Sequence, residues 1–429
     1  MMSEVLILVL SFVVLLAIGV PVAWSIGISC ILTILASIES LAAFTTVAQR
    51  MATGLDSFSL LAIPLFILAG QIMNQGGIAN RLIDFAKALM GALPGGLIYV
   101  NVIAAMLFGA ISGSAVAATS AMGGILGPAM KREGYSNEFG AAVNITASTT
   151  GLVIPPSNVL IVYSLASGGV SIASLFVAGY LPGILMGLAL MLVAAVWIKK
   201  KKYPAGEKSS FKHIMSTFLH AFPSLLLLVV VIGGIVTGIF TATEASGIAV
   251  LYTLILSFIN RELKVSNLYG VFLGSVGTTA IVMLLIATSM SMSWVMSYEN
   301  IPQAVSDSLL ALSDNIFVIL LIINLLLLFV GTFMDMTPAV LIFTPIFLPV
   351  VEALGVDPVH FGIMMVMNLC VGLCTPPVGS VLFIGVSVAN TTIQKVIKPL
   401  LPLYVAMFIV LLLVTFIPEI TLWLPSLFE

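Results

Sequence analysis

The sequence predicts an all-α polytopic membrane protein, with about ten transmembrane helices and two re-entrant hairpins arranged as two repeats of inverted topology. Three observations support this fold class. Hydrophobic residues make up 61% of the 429 residues, charged residues make up 7%, and the mean hydropathy is +1.25, a composition typical of many membrane spans. Proline pairs interrupt two long apolar segments. The second half of the chain also repeats motifs of the first half at a nearly constant spacing.

The spans can be assigned in order from the apolar segments. Unbroken spans are predicted at 5–19, 21–36, 58–73, 175–198, 218–240, 242–259, 268–295 and 400–424, and two proline-broken segments complete the set of ten. Stretches 77–90 and 301–312 alternate apolar and polar residues at helical spacing, so they are expected to lie in the membrane interface. Without a basic region and cleavage signature before it, the first apolar run is expected to remain as a span.

The two broken segments, 139–170 and 359–389, contain proline pairs where a membrane helix should be continuous. The breaks read GLVIPPSN at 151–158 and GLCTPPVG at 372–379, 221 residues later. Proline removes a backbone donor and disfavours helical geometry at the residue before it, so each helix must open near the bilayer centre. One such break could be a kink satisfied by neighbouring helices. Two breaks at matching positions are typical of a transporter binding site.

Two segments are predicted to be re-entrant hairpins, at about 93–130 and 315–352. The first carries ISGSAVAATSAMGG in its middle, with Ser112, Gly113 and Ser114 at the tip. The second carries GTFMDMTPAV, in which Asp335 is the only acid of a long apolar region. The alternative for the first segment is a face of small residues for helix packing.

Matching motifs divide the chain into a first repeat at 1–198, a basic linker at 199–213 and a second repeat at 214–429. Four pairs of motifs match at offsets of 220 to 223 residues, among them Gly109 with Gly331. If the linker is cytoplasmic, 14 of the 15 Lys and Arg residues face the cytoplasm, as the positive-inside rule requires. Both termini are then periplasmic. The two hairpins enter from opposite sides, so the repeats are inverted.

Each hairpin tip is expected to meet the broken helix of its own repeat near the bilayer centre. Hydroxyl, carbonyl and carboxylate oxygens there suit a hard cation such as sodium, and half-helix N-termini attract an anionic substrate group. Asp335 is a functional candidate because an ionised acid within a membrane is costly. Its alternative role is a structural hydrogen bond to hairpin amides. No Lys or Arg lies in the hairpins or broken helices, so amides, hydroxyls and bound cations would hold a carboxylate.

Several function classes are disfavoured by the same residues. The net charge of −2 gives no basic surface for nucleic acid. No nucleophile–base pair or nucleotide-binding loop is recognisable, which argues against an enzyme or an ATP-driven pump. Cys30, Cys370 and Cys374 lie in apolar runs and are expected to be buried hydrophobic residues rather than metal ligands. Glu244 is expected to cap a helix or bond a neighbour.

Six motifs together resemble the large membrane (M) subunit of TRAP (tripartite ATP-independent periplasmic) transporters. They read GVPVAWSIG, GAISGSAVAATSAMGG, NITASTTGLVIPPSN, TGIFTATEASGIAV, GTFMDMTPAVLIFTPIFLP and GLCTPPVGSVLF, and the resemblance extends over nearly the whole chain. The resemblance implies a sodium-coupled secondary importer of the bacterial inner membrane, with a scaffold domain and an elevator-type transport domain. It also implies two partners, a periplasmic substrate-binding (P) protein and a small four-helix membrane (Q) subunit, the latter expected as a separate chain.

The resemblance and the breaks together predict the site residues. The first sodium site is expected at Ser112, Gly113, Ser114, Thr149, Gly151 and Asn158, and the second at Gly331, Asp335, Met336, Thr337, Gly372, Thr375 and Gly379. Substrate contacts are expected at Ser112, Ser114, Pro155, Pro156, Asp335, Pro376 and Pro377. The resemblance implies an organic anion as substrate, chiefly a C4-dicarboxylate or a sialic acid, with sialic acid favoured, although no residue decides between them.

Two other functions stay open at this point. A stand-alone sodium–dicarboxylate carrier would have similar inverted hairpins and would work without a binding protein, but its usual Ser-Asn-Thr tips are absent. A non-transporting scaffold or receptor in the lipid bilayer would need the polar tips for folding rather than for flux. An intramembrane enzyme is a more distant alternative, since it requires a catalytic pair.

Overall fold

The computed structural model describes residues 2–75, 77–201, 203, 209–313 and 315–428, and α-helix accounts for most of them. Within these ranges there are twenty α-helices and two short 3₁₀ helices, and no strand. Residues 202 and 204–208 of the predicted basic linker lie outside the described residues. Lys199 to Lys201, which the prediction also assigns to the linker, continue the preceding helix.

Each predicted repeat contains ten of the described helices. Those of the first repeat are α1 Met2–Ala17, α2 Val22–Ile34, α3 Ser40–Leu55, α4 Ala62–Gln75, α5 Ile78–Met90, α6 Gly96–Ser112, α7 Ala115–Arg132, α8 Asn137–Thr150, α9 Asn158–Ala166 and α10 Ile172–Lys201. Those of the second are α11 Phe211–Val236, α12 Ala242–Ile259, α13 Val265–Tyr298, α14 Ile301–Leu312, α15 Ile316–Gly331, α16 Met336–Ala353, α17 Pro358–Leu373, α18 Ser380–Val388, α19 Ile393–Phe416 and α20 Glu419–Leu422.

Seven helical segments in the described ranges are long and apolar enough to cross a membrane. They are Phe58–Gln75, which joins a 3₁₀ turn to α4, together with α10, α11, α12, α13, α16 and α19. Shorter apolar helices include α1 and α2, and the broken spans consist of α8 with α9 and of α17 with α18. These elements confirm the predicted all-α polytopic membrane fold.

The hairpins and breaks form where the sequence predicts them. In the first hairpin only Gly113 and Ser114 separate α6 from α7, and Gly113 adopts a φ of +61°, which glycine tolerates without steric cost. In the second hairpin a short turn separates α15 from α16. The proline pairs fall in the turns between α8 and α9 and between α17 and α18. Each repeat therefore holds two pairs of helices that are separated by a short turn.

A glycine–glycine contact locks each hairpin against the broken helix of its own repeat. A Cβ atom on Gly151 would lie 2.6 Å from the Cα atom of Gly109, and one on Gly372 would lie 2.7 Å from the Cα atom of Gly331. Both distances are too short for real carbon atoms, so no side chain fits in either contact. The backbones approach this closely because both partners are glycine, as in other tightly packed membrane helices.

Helices α8 and α17 form the buried centre of the molecule, where the two repeats meet. The Cys370 thiol donates a hydrogen bond to the Thr149 carbonyl at 3.2 Å, which joins α17 directly to α8. The Tyr163 hydroxyl donates to the Pro358 carbonyl at 2.6 Å and joins α9 to the start of α17. All three cysteines, at positions 30, 370 and 374, are free and buried, as predicted.

Helices α5 and α14 cover the two stretches that are predicted to lie in the membrane interface, and they connect the hairpins to the outer helices. Helix α5 packs against α6 and α11, and α14 packs against α16 and α13. Arg81 on α5 forms an ion pair with Glu262, in the turn after α12, with a nitrogen–oxygen distance of 2.6 Å. Helix α4 packs against both α12 and α13 and also contacts α6 of the first hairpin, so α4 and α13 form a wall beside the hairpins.

One predicted loop is a helix in the structure. The sequence predicts a basic loop at residues 394–398 before the final span, whereas α19 begins at Ile393 and includes them. Glutamine and lysine are good helix formers, so α19 begins ahead of its apolar run and includes these polar residues. The predicted final span, 400–424, is also too long at its far side, since α19 ends at Phe416 and the short α20 follows.

Candidate functional site

Both hairpin tips line one cavity of about 540 Å³. One side of the cavity is formed by the tips and by α9, and the other by α4 and α13. Six residues from the predicted sites line it, namely Ser112, Gly113, Ser114, Asn158, Asp335 and Thr337. The structure thus brings residues of both predicted sodium sites and of the predicted substrate site into a single space, which is called the central cavity below.

The first tip is held by contacts with α9 and α4. A Cβ atom on Gly113 would lie 2.7 Å from the Asn158 Nδ2 atom, so the Asn158 amide sits directly over the turn. The Ser112 carbonyl lies 3.0 Å from where a Cβ atom of Gly70 on α4 would be. The Ser114 hydroxyl accepts a hydrogen bond from the Ala117 amide at 3.2 Å and caps α7. These contacts fix the serine oxygens at the cavity wall.

The second tip presents a carboxylate to the same space. Asp335 immediately precedes α16, lines the central cavity and is exposed to it. Its side chain forms no capping hydrogen bond with α16. Asp335 is exposed to the cavity, and the backbone amide of Met336 lies beside its carboxylate. Thr337, in the first turn of α16, adds a hydroxyl group beside it.

The electrostatics of the central cavity combine one acid with three helix N-termini. Helices α7, α9 and α16 all begin at residues that line the cavity or directly follow lining residues. The amides of a first helical turn carry partial positive charge and favour anions. Asp335 is the only ionisable residue among the described residues that line the cavity. The cavity can therefore hold a cation at the carboxylate and an anion at the helix ends, without an Arg or Lys.

Four polar residues of the cavity escaped the sequence analysis. Gln71 and Asn74 lie on α4, Ser120 on α7 and Thr278 on α13. Gln71 and Asn74 are three positions apart on one face of an otherwise apolar span. This spacing is the signal that could have indicated them. Ser120 belongs to the hairpin motif at residues 111–124, which is the signal that could have indicated it. Only the packing of distant helices brings Thr278 to the cavity.

Seven predicted sodium-site residues do not line the central cavity: Thr149, Gly151, Gly331, Met336, Gly372, Thr375 and Gly379. Gly151, Gly331 and Gly372 belong to the glycine contacts described above. The Thr149 hydroxyl donates to the Thr146 carbonyl at 2.9 Å, and the Thr375 hydroxyl donates to the Val371 carbonyl at 2.7 Å. Both hydroxyl protons are used within their own helices, so only the oxygen lone pairs and nearby carbonyls stay available to a cation.

The predicted proline contacts also lie outside the central cavity lining. Pro155 and Pro156 are buried, and Pro156 faces a small apolar pocket beside α4 and α11. Pro376 is half-buried and Pro377 is exposed. The prolines therefore shape the breaks, and the serine, asparagine and aspartate side chains supply the polar groups of the cavity.

Glu244 has the structural role that the sequence predicts. Its carboxylate accepts a hydrogen bond from the Thr241 amide at 2.8 Å, and the Thr241 hydroxyl accepts one from the Glu244 amide at 3.2 Å. This reciprocal pair is a capping box, which stabilises the N-terminus of α12.

Comparison of the sequence with known protein families shows to which family the chain belongs. Residues 9–420 match the family described as tripartite ATP-independent periplasmic transporter, DctM component. The match includes both hairpins, both broken helices and the central cavity. The chain belongs to this family. It is therefore a membrane component of a TRAP transporter, as the motifs of the sequence predict.

Individual relatives agree with this TRAP assignment. The chain is 55% identical over 418 residues to "Uncharacterized protein YgiK" of Salmonella typhimurium, covering 97% of this chain and 96% of the relative. It is 40% identical over 382 residues to the sialic acid TRAP transporter large permease protein SiaM of Vibrio cholerae, covering 89% of each. It is 38% identical over 431 residues to the C4-dicarboxylate TRAP transporter large permease protein DctM of Rhodobacter capsulatus, covering 97% of each.

Two solved structures share the fold of this TRAP component. The YdaH transporter of Alcanivorax borkumensis superposes with a TM-score of 0.67 over 91% of this chain and 90% of its own, at 13% sequence identity. MtrF of Neisseria gonorrhoeae superposes with a TM-score of 0.60 over 89% of this chain and 85% of its own, at 12% identity. At these identities the similarity concerns the fold alone.

Proposed function

We propose that this TRAP component imports a small organic anion by sodium-coupled secondary transport. The central cavity is the observation that carries the proposal, because it combines one carboxylate with three helix N-termini and several hydroxyl groups. Asp335 and the oxygens of the first tip suit sodium, and the N-termini of α7, α9 and α16 suit the carboxylate of a substrate.

The donor set fits sodium as a co-transported ion. At the first tip, Ser112 and Ser114 supply hydroxyls and carbonyls, and Asn158 supplies an amide oxygen. At the second tip, Asp335 and Thr337 supply a carboxylate and a hydroxyl. All of these are hard oxygen donors, and the single negative charge is balanced when one sodium ion is bound. A bound cation would in turn favour binding of an anionic substrate, and this would couple sodium binding to substrate binding.

An elevator motion is the proposed route of access. The cavity lies between the hairpins on one side and the wall of α4 and α13 on the other, and apolar side chains such as Ile63, Ile67 and Val282 form much of that wall. No salt bridge between described residues crosses this surface, which allows two bodies to slide past each other at low cost. In this proposal the hairpins and broken helices move as one body, while α5 and α14 connect it to the outer helices.

The proposed partners follow from the family description and from the names of the relatives. A periplasmic binding protein would deliver the substrate from outside, and a small membrane subunit would pack on the outer helices. The proposed location is the bacterial inner membrane, with both termini periplasmic. Relatives named for sialic acid, C4-dicarboxylates and 2,3-diketo-L-gulonate support an organic acid as cargo, and sialic acid is the first cargo to test.

Uptake into proteoliposomes tests the proposal. The vesicles would hold this chain with its small subunit, and labelled sialic acid would be supplied with or without the binding protein under an inward sodium gradient. We expect uptake that needs both the gradient and the binding protein. Uptake without the binding protein would favour the stand-alone carrier. Uptake that persists when sodium is replaced by choline would contradict sodium coupling, and C4-dicarboxylates would be tested next in the same way.

A further inference from the structure

The second broken helix is tied to the last long helix by a tyrosine. Tyr404 lies near the middle of α19, and its hydroxyl donates a hydrogen bond to the Cys374 carbonyl, directly after the end of α17. The Thr375 side chain lies beside the same hydroxyl. Two prolines follow Thr375, and they have no backbone N–H to donate. In the described chain the Cys374 carbonyl therefore takes its hydrogen bond from α19 rather than from its own segment.

This hydrogen bond fixes one peptide plane within the predicted second sodium site. The Cys374 carbonyl and the Thr375 amide belong to the same planar peptide unit. The Thr375 amide donates to the Gly372 carbonyl at 2.8 Å, and the Thr375 hydroxyl donates to the Val371 carbonyl at 2.7 Å. Rotation of the plane would break the first of these bonds and displace Thr375. Tyr404 therefore acts on two predicted sodium-site residues without belonging to that set.

The turn at this break is compact, so a rotation at one peptide reaches its neighbours. A Cβ atom on Gly379 would lie 2.7 Å from the Thr375 carbonyl oxygen and 2.8 Å from the Leu373 carbonyl oxygen. The Gly379 amide donates to the Thr375 carbonyl at 3.2 Å. Backbone hydrogen bonds thus join Gly372, Thr375 and Gly379, which all belong to the predicted second sodium site. The Tyr404 hydroxyl acts on the peptide that leads into the middle one.

The first broken helix is held in a different way. The Ser157 hydroxyl donates to the Leu152 carbonyl at 2.5 Å, so this break contains a side-chain bond of its own. The residue 221 positions after Ser157 is Val378, which has no hydroxyl group and is exposed. Helix α10 packs its backbone on the first break, since a Cβ atom on Gly179 would lie 2.3 Å from the Val153 carbonyl oxygen. An internal bond and backbone packing hold the first break, whereas a tyrosine from α19 holds the second.

We propose that Tyr404 is a positioning residue for sodium at the second break. Its hydroxyl holds the peptide plane between Cys374 and Thr375, and through it the backbone of Gly372 and Thr375, in place for the ion. Backbone oxygens can replace the hydration shell of an ion, and groups behind the ligands keep those ligands oriented. The proposal rests on the proposed sodium coupling and adds a residue from outside the predicted ligand set.

A second tyrosine on the same helix supplies a matched control. The Tyr163 hydroxyl donates to the Pro358 carbonyl at 2.6 Å, at the start of α17, whereas Tyr404 acts just beyond its end. Both bonds run from the hydroxyl group of a neighbouring helix to a backbone carbonyl. Loss of either hydroxyl should therefore have a similar effect on stability. Only the loss at Tyr404 should alter the response to sodium.

Sodium-dependent thermal stabilisation of the purified protein tests this proposal without transport. Tyr404→Phe removes one oxygen atom and keeps the ring of a half-buried side chain, so the variant should fold. The unfolding temperature would be measured against sodium chloride concentration, with choline chloride keeping the ionic strength constant. We expect the half-saturating sodium concentration to rise about fivefold in Tyr404→Phe and to stay unchanged in Tyr163→Phe. In choline alone, both variants should unfold at similar temperatures.

Sodium-driven uptake into proteoliposomes gives a second readout. Initial rates would be measured against sodium concentration for the unsubstituted chain and for both tyrosine variants. We expect the half-saturating sodium concentration of Tyr404→Phe to rise about fivefold, while its maximal rate stays within about twofold of the unsubstituted chain. High sodium should therefore restore uptake in this variant.

The outcomes separate this proposal from the proposed transport function. If the unsubstituted chain responds to sodium and Tyr404→Phe responds at the same concentrations, the role of Tyr404 alone is overturned. An equal shift in Tyr163→Phe would show that any loosening of α17 weakens sodium binding, and it would overturn that role too. If sodium affects neither the stability nor the uptake of the unsubstituted chain, the proposed sodium coupling is overturned, and this proposal with it.

Discussion

The two broken helices share a backbone arrangement but differ in their surroundings. In both repeats the glycine before the break packs on a glycine of the hairpin, with almost the same closeness. The first break is buried, including Pro155 and Pro156, whereas Pro377 in the second break is exposed. The hairpin tips differ as well, since the first is neutral and the second carries Asp335. The repeat thus preserves backbone packing, while side chains and surroundings give each half its own chemistry.

Adding one methyl group at the glycine contacts should have the largest effect. Gly151→Ala and Gly372→Ala place a Cβ atom within 2.7 Å of the facing backbone, which cannot move without displacing a whole helix. We expect each to lower the free energy of unfolding by about 3 kcal/mol, as severe overpacking does. Thermal unfolding of purified protein measures this. Gly247→Ala, where nothing lies within 4 Å, is the control and should be neutral. A tolerated Gly372→Ala would show that only the first contact is essential.

Substitutions at the two hairpin tips should reduce transport by different amounts. Asp335→Asn removes the only charge of the central cavity and should reduce sodium-driven uptake about a hundredfold, while Ser114→Ala should reduce it about tenfold. Initial uptake rates against sodium concentration give both values. Glu352→Gln changes an exposed acid at the other end of α16 and serves as the control. Unchanged sodium dependence in Asp335→Asn would remove this residue from the proposed site.

Substitutions of two buried asparagines, Asn368 on α17 and Asn101 on α6, should differ in their effect on the stability of the protein. Asn368→Leu breaks two hydrogen bonds to Asn324 and leaves buried acceptors unpaired, so it should destabilise the protein by about 2 kcal/mol. Asn101→Leu removes an oxygen that has no partner among the described residues and should be nearly neutral. Denaturant unfolding of the two variants makes the comparison. Equal destabilisation by both would mean that Asn101 also has a structural partner.

The smallest effect on stability is expected from the ion pair between Arg81, on α5, and Glu262. Arg81→Gln removes a pair whose side chains are 21% and 24% exposed, so its contribution should be below about 1 kcal/mol and should fall as salt is added. Helix α14 of the second repeat instead has a bond within the helix, from Gln303 to Asp307 at 2.8 Å. Gln303→Ala should therefore be weaker still. A loss of uptake far beyond the loss of stability in Arg81→Gln would assign the pair to the transport motion.

Local signals explain which parts of the fold could be predicted from the sequence. Proline pairs, glycine-rich turns and apolar run lengths act within a few residues, so both breaks, both hairpin turns and most spans lie close to their predicted bounds, whereas the final span ends at Phe416 instead of residue 424. The tip residues of the central cavity were predicted for the same reason. Gln71, Asn74 and Thr278 were missed because they reach the cavity only through the packing of α4 and α13 against the hairpins. The loop prediction at residues 394–398 is wrong because polar residues can continue a helix beyond its apolar run.

The contact between Cys370 and Thr149 joins equivalent positions of the two predicted repeats. These residues are 221 positions apart, the same offset as Gly151 and Gly372, so they occupy equivalent places in the two repeats. Under twofold symmetry a residue can touch its own counterpart only where the axis passes between them. The thiol of one bonds to the carbonyl of the other at 3.2 Å. Because one position supplies a thiol donor and the equivalent position supplies a carbonyl acceptor, the two halves form a hydrogen bond between positions to which exact symmetry would give identical groups.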